Sequence, residues 1–226
     1  MSQRVAAALL LTVLALIPIK GAANESTTDA AAVSPLVACL GDSLTEGYSL
    51  PPEQAYPSLV QAALRAGGWP RIEVVNAGVS GSTSASGVSR LRWQLRRKPD
   101  VLVLALGAND GLRGIDLAET RKNLAATIDL AVENGIVVLL AGMMLPPNYG
   151  PDYTDSFREM FRSLADEKKV ALLPFLLEGV AADPSLNLPD GIHPNAAGYE
   201  IIARTVASYL KPLLAVQKVA EGETAP

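Results

Sequence analysis

The sequence of 226 residues contains only one cysteine and one histidine. A lone cysteine, Cys39, cannot form an internal disulfide, and its apolar neighbours predict a small core residue rather than a reactive thiol. One cysteine with one histidine also cannot assemble a zinc site of the usual nitrogen and sulfur ligands. The composition therefore argues against a disulfide scaffold and against transition-metal chemistry, and we expect no metal site.

Basic residues are too few for a general nucleic-acid binder. Lysine and arginine number 19 against 23 acidic residues, which gives a formal net charge of −4. Neutralising phosphates requires a clustered excess of basic side chains, so we expect no nucleic-acid partner. Hydrophobic residues make up 49% of the chain, which is enough to bury the core of one large domain.

No apolar run reaches the roughly 20 residues that a membrane-spanning helix requires. The apolar run at residues 5–17 follows Arg4 and precedes the small residues Gly21, Ala22 and Ala23. This pattern is typical of a secretory signal peptide over residues 1–23. We therefore expect an exported protein, periplasmic or secreted, without a permanent membrane anchor. An uncleaved N-terminal anchor is the alternative.

Polar segments bound the part of the chain that is expected to fold. Residues 24–35 are polar and rich in alanine, which predicts a linker, and residues 216–226 predict a polar C-terminal tail. Residues 36–215 lie between these segments and contain no internal repeat. We therefore expect a single domain over residues 36–215.

Short apolar runs alternate with longer helical patterns inside this domain. The runs predict five strands, at residues 36–40, 72–75, 101–106, 136–141 and 170–173. Helical spacing predicts helices at residues 54–66, 85–97, 117–134, 155–168 and 196–214. Apolar strands separated by helices imply an α/β fold with a parallel sheet that is covered on both sides. Ligands bind such sheets outside the carboxyl ends of the strands, so we expect a cleft there.

A serine follows the first predicted strand, in the segment Gly41-Asp42-Ser43-Leu44. A turn at this point would aim the hydroxyl of Ser43 at the predicted cleft, where it could act as a nucleophile. The spacing from Ser43 to Glu46 is also typical of a capping box, in which the serine only accepts a hydrogen bond from the first helical turn.

The only histidine, His193, can supply the base that a serine nucleophile requires. Asp190 lies three residues earlier, a spacing that lets its carboxylate reach Nδ1 of His193 and fix the tautomer of the ring. The alternative for this segment is a surface loop in which Asn195 caps the final helix.

Acyl transfer also requires preorganised hydrogen-bond donors for the developing oxyanion. Three candidates lie at predicted strand ends: the backbone N–H of Ser43, the backbone N–H of Gly78 and the side-chain amide of Asn109. Gly78 is alternatively a turn glycine with positive φ, and Asn109 alternatively belongs to an Asx turn.

The sequence is also compatible with two other kinds of site. Asp42, Asp110 and Asp190 could hold Mg²⁺ from three strand ends. The basic run at residues 90–98, which includes Trp93, predicts a helix with one buried and one solvated face, or a site for an anionic head group. The chain lacks both G-x-S-x-G and a glycine-rich phosphate loop, which argues against an α/β-hydrolase elbow and against nucleotide binding.

Four motifs, Gly41-Asp42-Ser43-Leu44, Gly78, Gly107-x-Asn109-Asp110 and Asp190-x-x-His193, together resemble those of the SGNH, or GDSL, hydrolase family. Residues 109–114, 145–150 and 190–195 are similar to its TesA-type branch of exported bacterial enzymes, which are described as multifunctional acyl-CoA thioesterases, lysophospholipases and arylesterases. The resemblance implies a flavodoxin-like, three-layer α/β/α sandwich with a five-stranded parallel sheet. It also implies a triad of Ser43, Asp190 and His193, an oxyanion hole of Ser43, Gly78 and Asn109, and no cofactor.

The loop after the fourth predicted strand, residues 143–147, is apolar where a sugar site would need hydroxyl partners. We therefore expect a small-molecule ester or thioester substrate, such as an aryl ester, an acyl thioester or a lysophospholipid, with contact to lipid. The predicted substrate-binding residues, which are alternatively core packing, are Leu44, Leu112, Met144, Leu145, Pro146 and Tyr149. A carbohydrate acetylesterase of the same mechanism and a non-catalytic lipid- or peptidoglycan-binding module are the alternatives. We expect a monomer.

Overall fold

The computed structural model describes residues 34–222, with the backbone alone for residues 217–222. The predicted signal peptide, most of the predicted linker and residues 223–226 lie outside the described residues. Within the described part, no helix is both long enough and apolar enough to cross a membrane.

Five parallel strands form one sheet in the order β2-β1-β3-β4-β5. The strands are β1 at Leu36–Gly41, β2 at Glu73–Gly78, β3 at Val101–Ala105, β4 at Val137–Ala141 and β5 at Ala171–Leu173. This is the doubly wound, flavodoxin-like order, whose direction of winding reverses between β1 and β3. The expected five-stranded parallel sheet is therefore confirmed.

Helices cover both faces of the sheet. Residues 34–222 contain seven α-helices, which are α1 at Ser43–Glu46, α2 at Tyr56–Ala66, α3 at Gly87–Gln94, α4 at Ala108–Leu112, α5 at Leu117–Glu133, α6 at Pro151–Lys168 and α7 at Ala196–Gly222. Helices α2 and α7 pack against each other, whereas α3, α5 and α6 pack in series. The two helix groups and the sheet form the expected α/β/α sandwich.

Strand β2 runs to Gly78, three residues beyond its predicted end at Val75. It lies at the edge of the sheet, and all of its residues are exposed or half-buried, whereas every residue of β1 and β3 is buried. An edge strand accepts a polar residue such as Asn76, which the two-sided apolar pattern excludes from a strand. The prediction that all strands are apolar on both faces is therefore wrong for β2.

Two helix boundaries differ from the predictions by four residues or more. Helix α6 begins at Pro151 rather than at residue 155, because proline is well suited to the first turn of a helix. Helix α7 continues to Gly222, past the predicted end at residue 214, so the first residues of the predicted tail are helical. The prediction followed the apolar spacing, which stops at Leu214, whereas the alanine, glutamine and lysine that follow favour a helix.

The strands finish level at the carboxyl edge of the sheet near its switch point. In the strand register, Gly41 at the end of β1 lies opposite Gly78 of β2 and Ala105 of β3. The loops that follow these strands consequently leave the sheet side by side.

Beneath this edge, Cys39 is fully buried in the core, and burial raises the pKa of its thiol to about 12. The thiol is therefore protonated at neutral pH, as expected for a core residue rather than a reactive one.

Candidate active site

The hydroxyl of Ser43 lies at the turn between β1 and α1. Asp42, and not Ser43, caps α1, because Oδ1 of Asp42 accepts a hydrogen bond from the Leu44 N–H at 3.0 Å. Glu46 does not complete a capping box either, since its carboxylate accepts a hydrogen bond from the Ser80 N–H at 2.7 Å. The capping-box interpretation is therefore wrong, and the hydroxyl of Ser43 does not cap α1.

His193 and Asp190 lie on the loop that precedes α7. Oδ1 of Asp190 accepts hydrogen bonds from the N–H groups of Ile192 and His193, each at 3.0 Å. Oδ2 of Asp190 lies 2.7 Å from Nδ1 of His193, and Nε2 of His193 lies 2.9 Å from Oγ of Ser43. Asn195 also caps α7 through the Gly198 N–H, so the loop has both of the predicted features.

The electrostatics of Asp190 determine how the imidazole is protonated. Burial opposes ionisation, but hydrogen bonds from the backbone and ring of His193 and from the Ile192 N–H lower the pKa of Asp190 to about 2. The carboxylate is therefore ionised at neutral pH and accepts a hydrogen bond from Nδ1–H of His193. Nε2 is then left as an acceptor for the hydroxyl of Ser43, which is the tautomer that activates a serine.

Asn109 lies in the first turn of α4, directly after β3. Its Nδ2 donates to the carbonyl oxygen of Ser82 at 3.0 Å and to Oδ2 of Asp42 at 3.3 Å. Asn109 lines the same cavity as Ser43 and His193. The structure thus brings the predicted Ser43, His193, Asp190 and Asn109 to one place at the carboxyl edge of the sheet.

Gly78, the remaining residue of the predicted oxyanion hole, does not lie with these four residues. Its N–H donates to Oδ1 of Asn76 at 2.9 Å, and Gly78 does not line the cavity. A Cβ on Gly78 would lie 2.1 Å from the backbone nitrogen of Glu46, so glycine is required because α1 packs directly on β2. Its φ is not positive either. Gly78 is therefore a position of close backbone contact, not an oxyanion donor or a turn glycine.

Gly81, which the sequence analysis missed, lines the cavity instead. It has φ of +73° in the turn after β2, and its N–H has no hydrogen-bond partner among residues 34–222. The N–H groups of the neighbouring Ser80 and Ser82 are occupied by Glu46 and by the carbonyl oxygen of Val79. The sequence signal that points to Gly81 is the presence of a second glycine in the polar segment 76–82. Choosing between the two glycines requires knowing where β2 ends.

We expect Gly78→Ala to destabilise the fold by about 3 kcal/mol, because the added methyl group overlaps the backbone of α1. Gly81→Ala is the matched control. Its Cβ would meet no atom closer than 3.6 Å, so only the positive φ of the residue, about 1 kcal/mol, is penalised. Urea unfolding of both variants measures the difference. Equal stabilities would contradict the close contact between α1 and β2.

Asp42 joins the Ser43 turn to Asn109 through its two carboxylate oxygens, and its side chain is buried. Burial raises the pKa of Asp42 to about 6, although the Leu44 N–H and the nearby side chains of His193 and Arg90 favour the charged form. The guanidinium of Arg90 donates to the carbonyl oxygen of Gly41 at 2.8 Å and to that of Ala77, so this basic residue stabilises the ends of β1 and β2.

Asp42→Asn should reduce the pH dependence of stability. Because the pKa of Asp42 is raised from 3.8 to about 6 in the fold, its contribution to stability is fully present below the unfolded value and is lost as the pH rises through the folded value. An asparagine cannot ionise. We therefore expect the wild type to lose more unfolding free energy than the variant between about pH 4 and about pH 7. Urea titrations at the two pH values measure this, and identical losses would refute the prediction.

An apolar cavity of about 610 Å³ opens beside Ser43. Five of the six predicted substrate-binding residues line it, namely Leu44, Leu112, Met144, Leu145 and Pro146. Tyr149 does not line it; its ring is partly exposed and its hydroxyl donates to the carbonyl oxygen of Leu112 at 3.0 Å. The sequence analysis missed several lining residues that lie on loops after β5 and around α1 and His193, including Tyr48, Phe175, Leu177 and Ile192.

The alternative of a Mg²⁺ site is not supported. Among residues 34–222, no group of three or more His, Cys, Asp or Glu side chains could hold a metal ion. Asp110 is buried and its carboxylate accepts hydrogen bonds from the backbone and hydroxyl of Ser84. The predicted basic helix has the expected buried and solvated faces, since Leu91 is fully buried whereas Trp93 is 64% exposed and lies beneath the guanidinium of Arg96.

A hydroxyl, an imidazole and a carboxylate in hydrogen-bonded series form the arrangement by which hydrolytic enzymes activate a serine. Comparison with known proteins agrees with this class. Residues 39–201 match the GDSL-like Lipase/Acylhydrolase family, and the chain belongs to that family of SGNH hydrolases.

Named relatives and solved structures cover most of the chain. Esterase TesA of Pseudomonas aeruginosa is 42% identical over 83% of this chain and 92% of its own length. Arylesterase of Vibrio mimicus is 40% identical over 76% of this chain and 86% of its own length. A crystal structure of TesA superposes with a TM-score of 0.76 at 41% identity and covers 79% of this chain and 99% of that one. The protein is therefore an SGNH/GDSL hydrolase.

Proposed function

We propose that the protein hydrolyses carboxylic esters and thioesters through an acyl-enzyme, with Ser43 as nucleophile, His193 as general base and Asp190 as the carboxylate that orients it. The observation that carries this proposal is the pair of contacts of the imidazole, 2.9 Å to Oγ of Ser43 and 2.7 Å to Asp190. Both distances lie within normal hydrogen-bond range, so the proton path needs no rearrangement.

In the proposed reaction, Oγ of Ser43 attacks the carbonyl carbon while its proton passes to Nε2 of His193. The electron pair of the carbonyl double bond moves to the oxygen, which becomes an oxyanion. When this oxyanion collapses, the bond to the leaving alcohol or thiol breaks, and the leaving group takes the proton from Nε2. Water then repeats the sequence on the acyl-enzyme, with His193 again as base.

Three donors are proposed for the oxyanion: the N–H of Ser43, the N–H of Gly81 and Nδ2 of Asn109. The first two have no hydrogen-bond partner among residues 34–222. The contact of Nδ2 with Asp42, at 3.3 Å, is long for a hydrogen bond of this type. This proton of Asn109 can therefore turn to an oxyanion while the bond to Ser82 is retained.

The cavity supports acyl and aryl groups as the part of the substrate that is recognised. Most of its lining residues are apolar, with leucine, methionine and proline prominent among them, and these suit hydrocarbon and offer few hydroxyl partners to a sugar. We propose aryl esters, acyl thioesters and lysophospholipids as substrates, with contact to lipid and a monomeric enzyme. The names of the relatives, an esterase and an arylesterase, agree with this range.

We further propose that the enzyme is exported, to the periplasm or beyond, after removal of residues 1–23. The support is the pattern of a basic start, an apolar run and small residues. The first described strand begins at Leu36, so the described sheet contains no residue of this segment.

A substrate panel tests the proposal. Rates are measured for p-nitrophenyl esters of increasing chain length, an acyl-CoA, a lysophospholipid and an acetylated sugar. We expect the acyl and aryl esters to exceed the acetylated sugar by at least about 10-fold in kcat/KM, since one buried methylene already contributes that order of discrimination. A preference of the same size for the acetylated sugar would instead establish the carbohydrate esterase.

A further inference from the structure

The aromatic ring of Tyr48 stacks on the imidazole of His193. The ring centroids are 4.3 Å apart and the planes are inclined by 29°. Tyr48 lines the cavity and is 43% exposed, so no core packing requires an aromatic residue at this position. No hydrogen bond of its hydroxyl to another described residue accompanies the stack.

The two hydrogen bonds of the imidazole do not themselves oppose tilting of the ring. Asp190 and Ser43 both bond to ring nitrogens, and these hydrogen bonds lie at the edge of the ring. Edge contacts fix the ring within its plane but tolerate tilting about the line that joins the two nitrogens. A flat partner on the face of the ring opposes that tilt. Gly191 and the exposed Ile192, which precede His193, provide no rigid support of this kind.

The stack also connects His193 to the turn that carries the nucleophile. The N–H of Tyr48 donates to the carbonyl oxygen of Ser43 at 3.1 Å. The aromatic ring of Tyr48, which stacks on the imidazole, and the hydroxyl of Ser43, which lies against Nε2, therefore belong to one hydrogen-bonded turn. This turn reaches His193 although Ser43 and His193 are 150 positions apart in the sequence.

We infer that Tyr48 is a positioning residue, which keeps the imidazole of His193 aligned with Oγ of Ser43 through the face of its aromatic ring. When His193 accepts the proton of Ser43, the face of Tyr48 also attracts the imidazolium, because aromatic faces carry partial negative charge. The inference rests on the proposed function, since it assigns the alignment of the base in that reaction.

The test compares wild type with Tyr48→Phe and Tyr48→Leu, on the p-nitrophenyl esters of acetate and octanoate. Phenylalanine keeps the aromatic face, and leucine keeps only the apolar bulk. We expect Tyr48→Phe to stay within about twofold of wild type and Tyr48→Leu to lose about 10-fold in kcat, with KM nearly unchanged and the same loss on both esters. Acylation and deacylation both need His193, so the loss appears whichever step limits the rate.

Proton NMR of the imidazole supplies a readout that is independent of turnover. The chain has one histidine, so its ring protons give one assignable set of signals. The ring current of a stacked aromatic residue shifts these signals upfield, and we expect the shift in wild type and Tyr48→Phe but not in Tyr48→Leu.

Several results would overturn the inference. Full kcat in Tyr48→Leu, a loss confined to KM, or a loss that grows with chain length would make Tyr48 only a wall of the cavity. A loss of kcat in Tyr48→Phe as large as that in Tyr48→Leu would assign the effect to the hydroxyl of Tyr48 rather than to its aromatic face. Identical imidazole signals in all three proteins would show that the rings of Tyr48 and His193 do not stack. A wild type that turns over no ester, with the ring-current shift present, would instead refute the proposed function.

Discussion

Ser43→Ala is expected to lower kcat by about 10⁶-fold, because the hydroxyl that forms the acyl-enzyme is removed and no other group replaces it. The fold should be unaffected. Ser43 does not cap α1, since Asp42 supplies the side chain that bonds the Leu44 N–H. Ser43 is also only partly buried, and among residues 34–222 the one hydrogen-bond partner of its hydroxyl is His193. Steady-state hydrolysis of a p-nitrophenyl ester, together with urea unfolding, separates loss of chemistry from loss of structure.

Ser89→Ala is the control for this experiment. Ser89 is an exposed residue of α3 whose hydroxyl donates to the carbonyl oxygen of Ser86 at 2.9 Å, and it does not line the cavity. It should keep the wild-type rate. Substantial turnover by Ser43→Ala would show that another nucleophile, or water activated directly, performs the reaction.

Asp190→Asn is expected to lower kcat by about 10⁴-fold while the protein stays folded. Its carbonyl oxygen can still accept the N–H groups of Ile192 and His193, so the loop keeps its turn. The new amide group, however, donates toward Nδ1 of His193. The imidazole must then carry its proton on Nε2, where it cannot accept the hydroxyl of Ser43. Rates on a p-nitrophenyl ester measure the loss, and nitrogen NMR of the single histidine reports the tautomer.

Asp183→Asn is the matched control for this change. Asp183 also shapes a loop through its carboxylate, which accepts the N–H of Ser185 at 2.8 Å, but it does not contact His193. Its variant should retain full activity. A wild-type rate in Asp190→Asn would exclude Asp190 from the orientation of the base.

Much of the fold follows from the sequence because buried strands and amphipathic helices have distinct periods. The runs at β1 and β3 are apolar throughout, and the structure buries every residue of both. The edge strand β2 was harder to delimit, since a half-exposed strand accepts polar residues and its end cannot be read from apolar spacing. The order of the strands, with β1 between β2 and β3, depends on tertiary packing that no single segment encodes.

The residues of the candidate site likewise divide into those that the sequence indicates and those that depend on the tertiary structure. Ser43, Asn109, Asp190 and His193 could be chosen because their residue types and their places after predicted strands suit the chemistry. The sequence favours Gly78 as the oxyanion donor because it follows the predicted strand end at Val75, whereas β2 runs on to Gly78 and Gly81 lines the cavity. Tyr48 was not recognised, since its contact with a residue near the C-terminal helix has no local signature.

Labelling by a serine-directed phosphonate tests the central claim most directly. The intact mass of the wild type should rise by one phosphonyl group in step with the loss of esterase activity, and peptide mapping should place the adduct on Ser43. Ser43→Ala should remain unlabelled under the same conditions. An adduct on another residue, or equal labelling of Ser43→Ala, would contradict the assignment of Ser43 as the nucleophile.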